Sequence, residues 1–338
     1  VLIVRLGAFG DIVHTLPLAA DLHAAGIRLG WVCEDRWSCL LRGNPAVETI
    51  HDYPRKALKG TGVFRIAERY QTVRSISRAL AAERYDAVID AQGLAKSALF
   101  ALGSRAPLRI GHDRPRSREL AWVVSRLRAP VHAEHVIDQQ RALGQSLTRT
   151  GPTGPWRFPL PAWSAEREAA LDWMRGQGLN RPWMLNVGAG WPTKVWPRER
   201  QIAFVRQAAQ QRRRVVLVWG SHDEHVLAQA ILQQAGAGIL APPTTIPELA
   251  GLVAAGGALL SGDTGPLHLA LALGTPAVGL FGPVPATRNG PKGRGYRTFQ
   301  APGAAWERKD VSKVDMGAIT VEEVLAAMAT VSDEGRSA

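Results

Sequence analysis

The sequence predicts an α/β protein of two Rossmann-like domains whose parallel sheets face a cleft. Three observations predict it. Short β-type runs alternate with amphipathic helical runs along the chain, the pattern of strands joined by crossover helices. A Pro/Gly-rich stretch near the middle interrupts that alternation. The length, 338 residues, exceeds most single-core domains and suits two of about 150 to 190 residues. Hydrophobic residues at 46% and charged residues at 21% lie near globular averages, which excludes a largely disordered or fibrous chain.

Strands are expected first at Val1–Arg5, Arg28–Cys33, Val47–Ile50, Ala87–Asp90 and Leu108–Gly111. Between and after them, helices are expected at Ile12–Ala25, Phe64–Glu83, Leu94–Leu102 and His135–Leu147. In Phe64–Glu83, Ile66, Val73, Ile76 and Leu80 share one helical face, with Arg65, Arg69, Arg74 and Arg78 around it. The stretch Gly151–Pro161 holds Pro152, Pro155, Pro159 and Pro161 as well as Gly151 and Gly154. Neither a helix nor a central strand tolerates that, so residues 151–161 are expected to link a domain of residues 1–150 to one of residues 162–332. In the second domain, Trp183–Val187, Val215–Trp219, Gly238–Leu240, Ala258–Leu260 and Ala277–Leu280 have strand character. Its helices are expected at Ala165–Gln177, Pro197–Gln211, Glu224–Gln234, Ile246–Ala254, Leu267–Leu273 and, after a long loop, Thr320–Thr330. Residues 333–338 read as a polar tail.

The two cysteines, Cys33 and Cys39, exclude a disulfide scaffold and a cysteine-rich zinc site, and fit a reducing compartment. The apolar runs Ala250–Leu260 and Leu269–Ala286 are broken by Gly or Pro and do not make a membrane span. The chain opens directly on strand character, so no secretory leader is expected. Charge is more telling. Lys plus Arg total 41 against 29 Asp plus Glu, a net +12. Residues 54–128 hold 16 basic and 6 acidic side chains, a net +10. Such an excess marks an anionic partner: nucleic acid, an acidic membrane surface or a phosphorylated substrate. Arg-rich composition spread over solvated helices is the plainer explanation. A nucleic-acid-binding protein is the competing class, but no reader motif is present and aromatics are not interleaved with the basic run.

Four motifs lie where strands run into helices. In Arg5–Pro17, Gly7 and Gly10 permit a tight turn ahead of a helix that starts at or near Asp11. The dinucleotide fingerprint is absent, since the third glycine is missing. Asp11 is either a helix cap or a general base at the carboxyl end of the first strand. In Asn186–Pro197, small residues let backbone approach a ligand, and Lys194 offers one point charge to a phosphate. It is not a Walker loop. In Ser261–Ala270, the amides of Thr264 and Gly265 open a helix, where peptide dipoles favour an anion such as a diphosphate. Asp263 suits sugar hydroxyls or a helix cap, and His268 suits a satisfied helix position. In Trp219–Glu224, Glu224 accepts ribose hydroxyls, or Ser221 or Asp223 caps a helix with Glu224 solvated in its first turn.

Together these residues resemble glycosyltransferase family 9, which transfers heptose from ADP-heptose to the lipopolysaccharide inner core, and within it the heptosyltransferase I group. The resemblance is carried by Gly10–Pro17, Asp86–Ser97, Lys194–Pro197 and Asp263–His268, with Gly282-Pro283 and Gly290-Pro291 downstream. It implies a GT-B fold and an inverting, metal-independent transfer with no cofactor, from ADP-heptose to the Kdo region of Kdo2-lipid A or a related acceptor. Asp11 matches the general base. Lys194 and the Thr264–Gly265 turn match the diphosphate contacts, Asp263 the heptose contact and Glu224 the ribose contact, with His268 in the same donor-binding motif. Arg55, Lys56, Lys59 and Arg118 fall in loops comparable to those that meet the acceptor's acidic groups. The resemblance further implies a cytoplasmic monomer that touches the inner face of the cytoplasmic membrane transiently and binds no nucleic acid. The alternatives are heptosyltransferase II, a family member with another glycan or protein acceptor, and a GT-B enzyme or epimerase using a UDP-sugar.

Overall fold

The computed structural model describes residues 1–55, 63–113, 123–129, 133–148, 154–304 and 314–336, with residues 63–69 described by their backbone alone. The chain divides into two compact units, Val1–Ala162 and Trp163–Ala338. The first runs β1 (Leu2–Val4), α1 (Phe9–Ala24), β2 (Gly30–Glu34), β3 (Thr49–Tyr53), α2 (Val63–Ala82), β4 (Ala87–Asp90), α3 (Ala95–Gly103), β5 (Leu108–His112), β6 (Leu127–Ala129) and α4 (Val136–Thr148). Its six strands are ordered β3-β2-β1-β4-β5-β6, with parallel pairing throughout. A parallel sheet covered on both faces needs continuous apolar strands, and Leu2, Ile3, Val4, Val88 and Ile89 are fully buried. Ile76, Leu80 and Phe100 of α2 and α3 pack on Leu2, Val4, Val32 and Val88. Helices α1 and α4 pack together. There the Arg141 guanidinium, itself buried, grips Asp21 at 2.6 and 3.1 Å and donates to the Gly154 carbonyl.

The second unit runs α5 (Ser164–Gly176), β7 (Trp183–Asn186), α6 (Arg198–Gln210), β8 (Val215–Val218), α7 (His222–Ala235), β9 (Ile239–Leu240), α8 (Ile246–Ala255) and β10 (Ala258–Gly262). It continues with α9 (Gly265–Leu273), β11 (Ala277–Phe281), α10 (Ala286–Asn289), β12 (Tyr296–Gln300) and α11 (Val321–Glu334). The order β12-β11-β10-β7-β8-β9 repeats that of the first unit, again all parallel. One face buries Leu185, Leu217 and Leu260 with Phe204, Ile231 and Met328. The other buries Met184, Val216 and Leu259 with Met174, Val253 and Leu267.

Three expectations need correction. Strands β6 and β12 fall where loop was expected. Both lie at sheet edges, and their residues are mostly exposed, so neither carries the apolar run that marks a central strand. Helix α1 begins at Phe9 rather than near Asp11. Helix α11 continues through Glu334, into the expected polar tail, because the Glu334 carboxylate accepts from the Gly295 amide and Arg297 at 2.7 Å each. Cys33 is buried on β2, whereas Cys39 is only half-buried, and both are free thiols. Among the described residues no helix is long and apolar enough to cross a membrane.

The shared strand order places function. In each sheet the first strand lies beside the fourth, β1 beside β4 and β7 beside β10. Chain connections leave to opposite sides at that junction, and in open α/β sheets ligands bind at the carboxyl ends of the two strands there.

Candidate active site

In the first unit, the β1–α1 turn and the β4–α3 turn meet at the switch point. Arg5 leaves β1 and spans both: Nη1 donates to the Ala91 carbonyl at 2.5 Å, and Nη2 lies 2.8 Å from Asp11 Oδ2. The Leu6 amide donates to Gln92 Oε1 at 2.7 Å. Asp90 shapes the second turn by accepting from the amides of Gln92 and Gly93. Burial pushes the Asp90 carboxyl up, against the pull of those amides, Ser97 and Arg5. Asp11 is the third residue of α1, not its cap. Its Oδ2 accepts from the Ala8 amide at 3.1 Å, so it does helix-terminal work with one oxygen. The side chain is 44% exposed, and Oδ1 has no hydrogen bond among the described residues.

Arg55 follows β3 at the same end of the sheet. Its Nη1 lies 3.3 Å from Glu34 Oε2, at the end of β2. Glu34 is buried, and it also holds Arg36 at 2.9 Å and Lys96 at 3.9 Å. Three cations around one carboxylate leave surplus positive charge beside the Asp11 turn, to which Glu34 is joined by its amide donating to the Leu6 carbonyl at 2.9 Å. Lys56, Lys59 and Arg118 lie outside the described residues.

In the second unit the switch point joins the loop after β7 to the turn after β10. Lys194 Nζ lies 2.5 Å from Asp263 Oδ2 and donates to the Asp263 carbonyl at 3.1 Å. His268 Nε2 lies 3.2 Å from Asp263 Oδ1. Burial opposes ionisation of Asp263, but His268 and Lys194 outweigh it and hold the carboxyl well below the usual carboxylate range. Asp263 precedes the helix cap, which is Thr264, and Thr264 makes no side-chain cap bond. The Thr264 hydroxyl instead meets Ser261 Oγ at 3.0 Å and Asn186 Nδ2 at 3.2 Å. The first turn of α9 therefore lacks a side-chain cap, and the ammonium beside it is paired with Asp263. Glu224 is the third residue of α7, and its Oε2 accepts from the Gly220 and Ser221 amides at 2.7 and 3.2 Å. Its Oε1 abuts Gly188, where an added Cβ would lie 2.2 Å away. With the Glu224 amide donating to Ser221 Oγ at 3.3 Å, these bonds close a capping box in which Ser221 caps α7.

Lys194, Asp263, Thr264, Gly265 and His268 are brought together, with Glu224 against the start of the lysine loop. Sequence reasoning missed what seats that loop. Gln201, buried in α6, donates from Nε2 to the carbonyls of Val187 and Trp196, one at each end of the loop, at 3.1 and 2.8 Å. The Lys194 carbonyl rests on Gly262 and the Thr193 carbonyl on Gly282, where an added Cβ would lie 2.6 Å from each. Only the polar residue at 201, on a helix face otherwise apolar toward the sheet, was a signal in the sequence. Among the described residues no group of three or more His, Cys, Asp or Glu could hold a metal ion.

Known proteins share this arrangement of elements. The E. coli heptosyltransferase WaaC solved with ADP superposes with a TM-score of 0.78 at 24% identity, over 98% of this chain and 99% of that one. The same enzyme with ADP-2-deoxy-2-fluoro heptose gives 0.74 at 25% identity, over 96% and 98%. These neighbours identify the fold as GT-B. Lipopolysaccharide heptosyltransferase 1 of Pseudomonas aeruginosa is 30% identical over 310 residues, covering 87% of this chain and 81% of that protein. The family model for glycosyltransferase family 9 (heptosyltransferase) matches residues 73–317, from α2 to the turn before α11. With both switch-point turns of the second unit inside that match, the chain belongs to glycosyltransferase family 9, the heptosyltransferases.

Proposed function

We propose that the protein transfers heptose from ADP-heptose to the Kdo region of the lipopolysaccharide inner core, with inversion and without a metal ion. The observation that carries this reading is the union of Lys194, Asp263 and the uncapped start of α9. The diphosphate sits at that helix terminus, where Lys194 and the dipole of α9 neutralise the charge that develops as the sugar–phosphate bond breaks. Asp263 accepts from heptose hydroxyls, and Glu224 accepts from the ribose beside Gly188. His268 holds the Asp263 carboxylate in place. An acceptor hydroxyl attacks the anomeric carbon, the bond to the diphosphate oxygen breaks, and the hydroxyl proton passes to Asp11. Asp11 is suited to this by an exposed carboxylate whose Oδ2 is oriented by Arg5 and the Ala8 amide. Arg55, with Lys56, Lys59 and Arg118, meets the acidic groups of the acceptor, and the same basic surface touches the anionic membrane face where such an acceptor resides.

The test is incubation with ADP-heptose and heptose-deficient lipopolysaccharide in chelator, followed by mass spectrometry of the acceptor. One added heptose is expected, absent with Asp11→Ala, while that variant still binds ADP. Transfer by Asp11→Ala at near-normal rate would remove the base role. No transfer by the unaltered protein, despite ADP binding, would redirect the search to other acceptors.

A further inference from the structure

Asp263 makes two contacts that sit oddly with a residue kept for a sugar. Its carboxylate is almost fully buried and already holds Lys194 through Oδ2 and His268 through Oδ1. Lys194 is drawn in further by the Asp263 carbonyl. The ammonium that a diphosphate requires is therefore neutralised in advance, at the mouth of α9. A nucleoside diphosphate competes with Asp263 for this ammonium, two of whose three donors Asp263 engages, and where it draws Lys194 away the buried carboxylate loses a charged partner. A buried group stripped of its partner is costly unless another donor replaces the one lost. The hydroxyls of a diphosphate-linked sugar are such donors. A bare nucleoside diphosphate brings none.

We infer that Asp263 is a specificity-determining residue, exchanging Lys194 for sugar hydroxyls and so favouring the intact nucleotide-sugar over the bare nucleoside diphosphate. This rests on the reading given under Proposed function, and it adds a role there. Lys194 serves the carboxylate while the site is empty and the diphosphate once a sugar can take its place. After transfer the sugar has gone, Asp263 reclaims the ammonium, and the product nucleotide is held less tightly. His268 keeps Oδ1 fixed through both states, so the exchange is confined to Oδ2.

Calorimetric titration of ADP into the unaltered protein, Asp263→Asn, Lys194→Met and the double variant tests this. Asp263→Asn is expected to bind ADP about tenfold tighter, ~1.4 kcal/mol, while its kcat/KM for ADP-heptose falls. Lys194→Met is expected to weaken ADP, and adding Asp263→Asn to it to give no gain. ADP binding that is unchanged or weaker in Asp263→Asn overturns the exchange. So does a gain that survives in the double variant, since that would be direct repulsion between carboxylate and diphosphate. If Asp263→Asn does not fold, as judged by circular dichroism, Asp263→Ser is titrated with the same criteria. Failure of the unaltered protein to bind ADP refutes the nucleotide-sugar reading; ADP binding by the unaltered protein with the same affinity in Asp263→Asn refutes the exchange alone.

Discussion

Gly262→Ala probes the seat of Lys194. Gly262 ends β10, and an added Cβ would lie 2.6 Å from the Lys194 carbonyl oxygen. Ordinary carbon–oxygen approach is about 3.4 Å, so the two backbones must part by roughly 0.8 Å. Neither yields cheaply. The carbonyl belongs to a loop held at both ends by Gln201, and Gly262 pairs in register with Leu280 of β11. Overpacking of this kind costs about 1 to 3 kcal/mol, offset by roughly 0.4 to 1 kcal/mol from the stiffer unfolded chain. The net loss, about 1.3 kcal/mol at the middle of both ranges, should lower Tm by about 3 to 5 °C. If Lys194 positions the donor as proposed, turnover should suffer more, since a misplacement near 1 Å costs on the order of 100-fold. Scanning calorimetry and kcat/KM with ADP-heptose measure the two effects. Unchanged Tm together with unchanged kcat/KM would refute the idea that backbone contact with Gly262 sets the lysine's position. Gly188→Ala is the contrasting case: the three atoms nearest its Cβ all belong to the Glu224 side chain, Oε1 at 2.2 Å and Cδ and Cγ at 2.4 Å, with no backbone among them. Glu224 should swing away at the expense of its first-turn bonds, about 1 kcal/mol, and ADP affinity should fall more than stability.

Two further outcomes concern stability. Arg141→Met should destabilise the first unit by about 2 kcal/mol in urea unfolding, because Asp21, part-exposed, loses its bidentate partner and keeps Arg157 at 4.0 Å. Adding Asp21→Leu should recover most of that loss, and failure to recover would mean the pair is not the source. The pH dependence follows from Asp263, whose carboxyl is depressed in the folded protein by His268 and Lys194 despite its burial. Its stabilising contribution is complete above the unfolded carboxylate's value of about 3.9 and is lost as pH falls below it. Unfolding free energy measured from pH 6 to pH 2 should therefore fall less steeply in Asp263→Asn than in the unaltered protein. Parallel curves would contradict the assigned pairing.

From its pattern alone the chain specifies the α/β class, because central parallel strands such as Ala87–Asp90 and Val215–Val218 are covered on both faces and run largely apolar. It also determined the motifs, since a strand running into a glycine turn and a helix leaves few roles for Asp11, Lys194 and Asp263. It did not distinguish a helix cap from a ligand group at those positions, because the same carboxylate serves either use. Nor did its charge distinguish nucleic acid from a phosphorylated glycan, as both are polyanions. The edge strands β6 and β12 escaped it because half-exposed strands carry little pattern. The pairing of sequence-distant turns emerges only in the folded chain. Lys194 meets Asp263 and Arg5 meets Ala91 because β7 lies beside β10 and β1 beside β4. Strand order depends on how helices cover a twisted sheet, a property of the whole fold that no local spacing encodes. The seat of Lys194 on Gly262 and Gly282, held by Gln201, depends on the same non-local contacts.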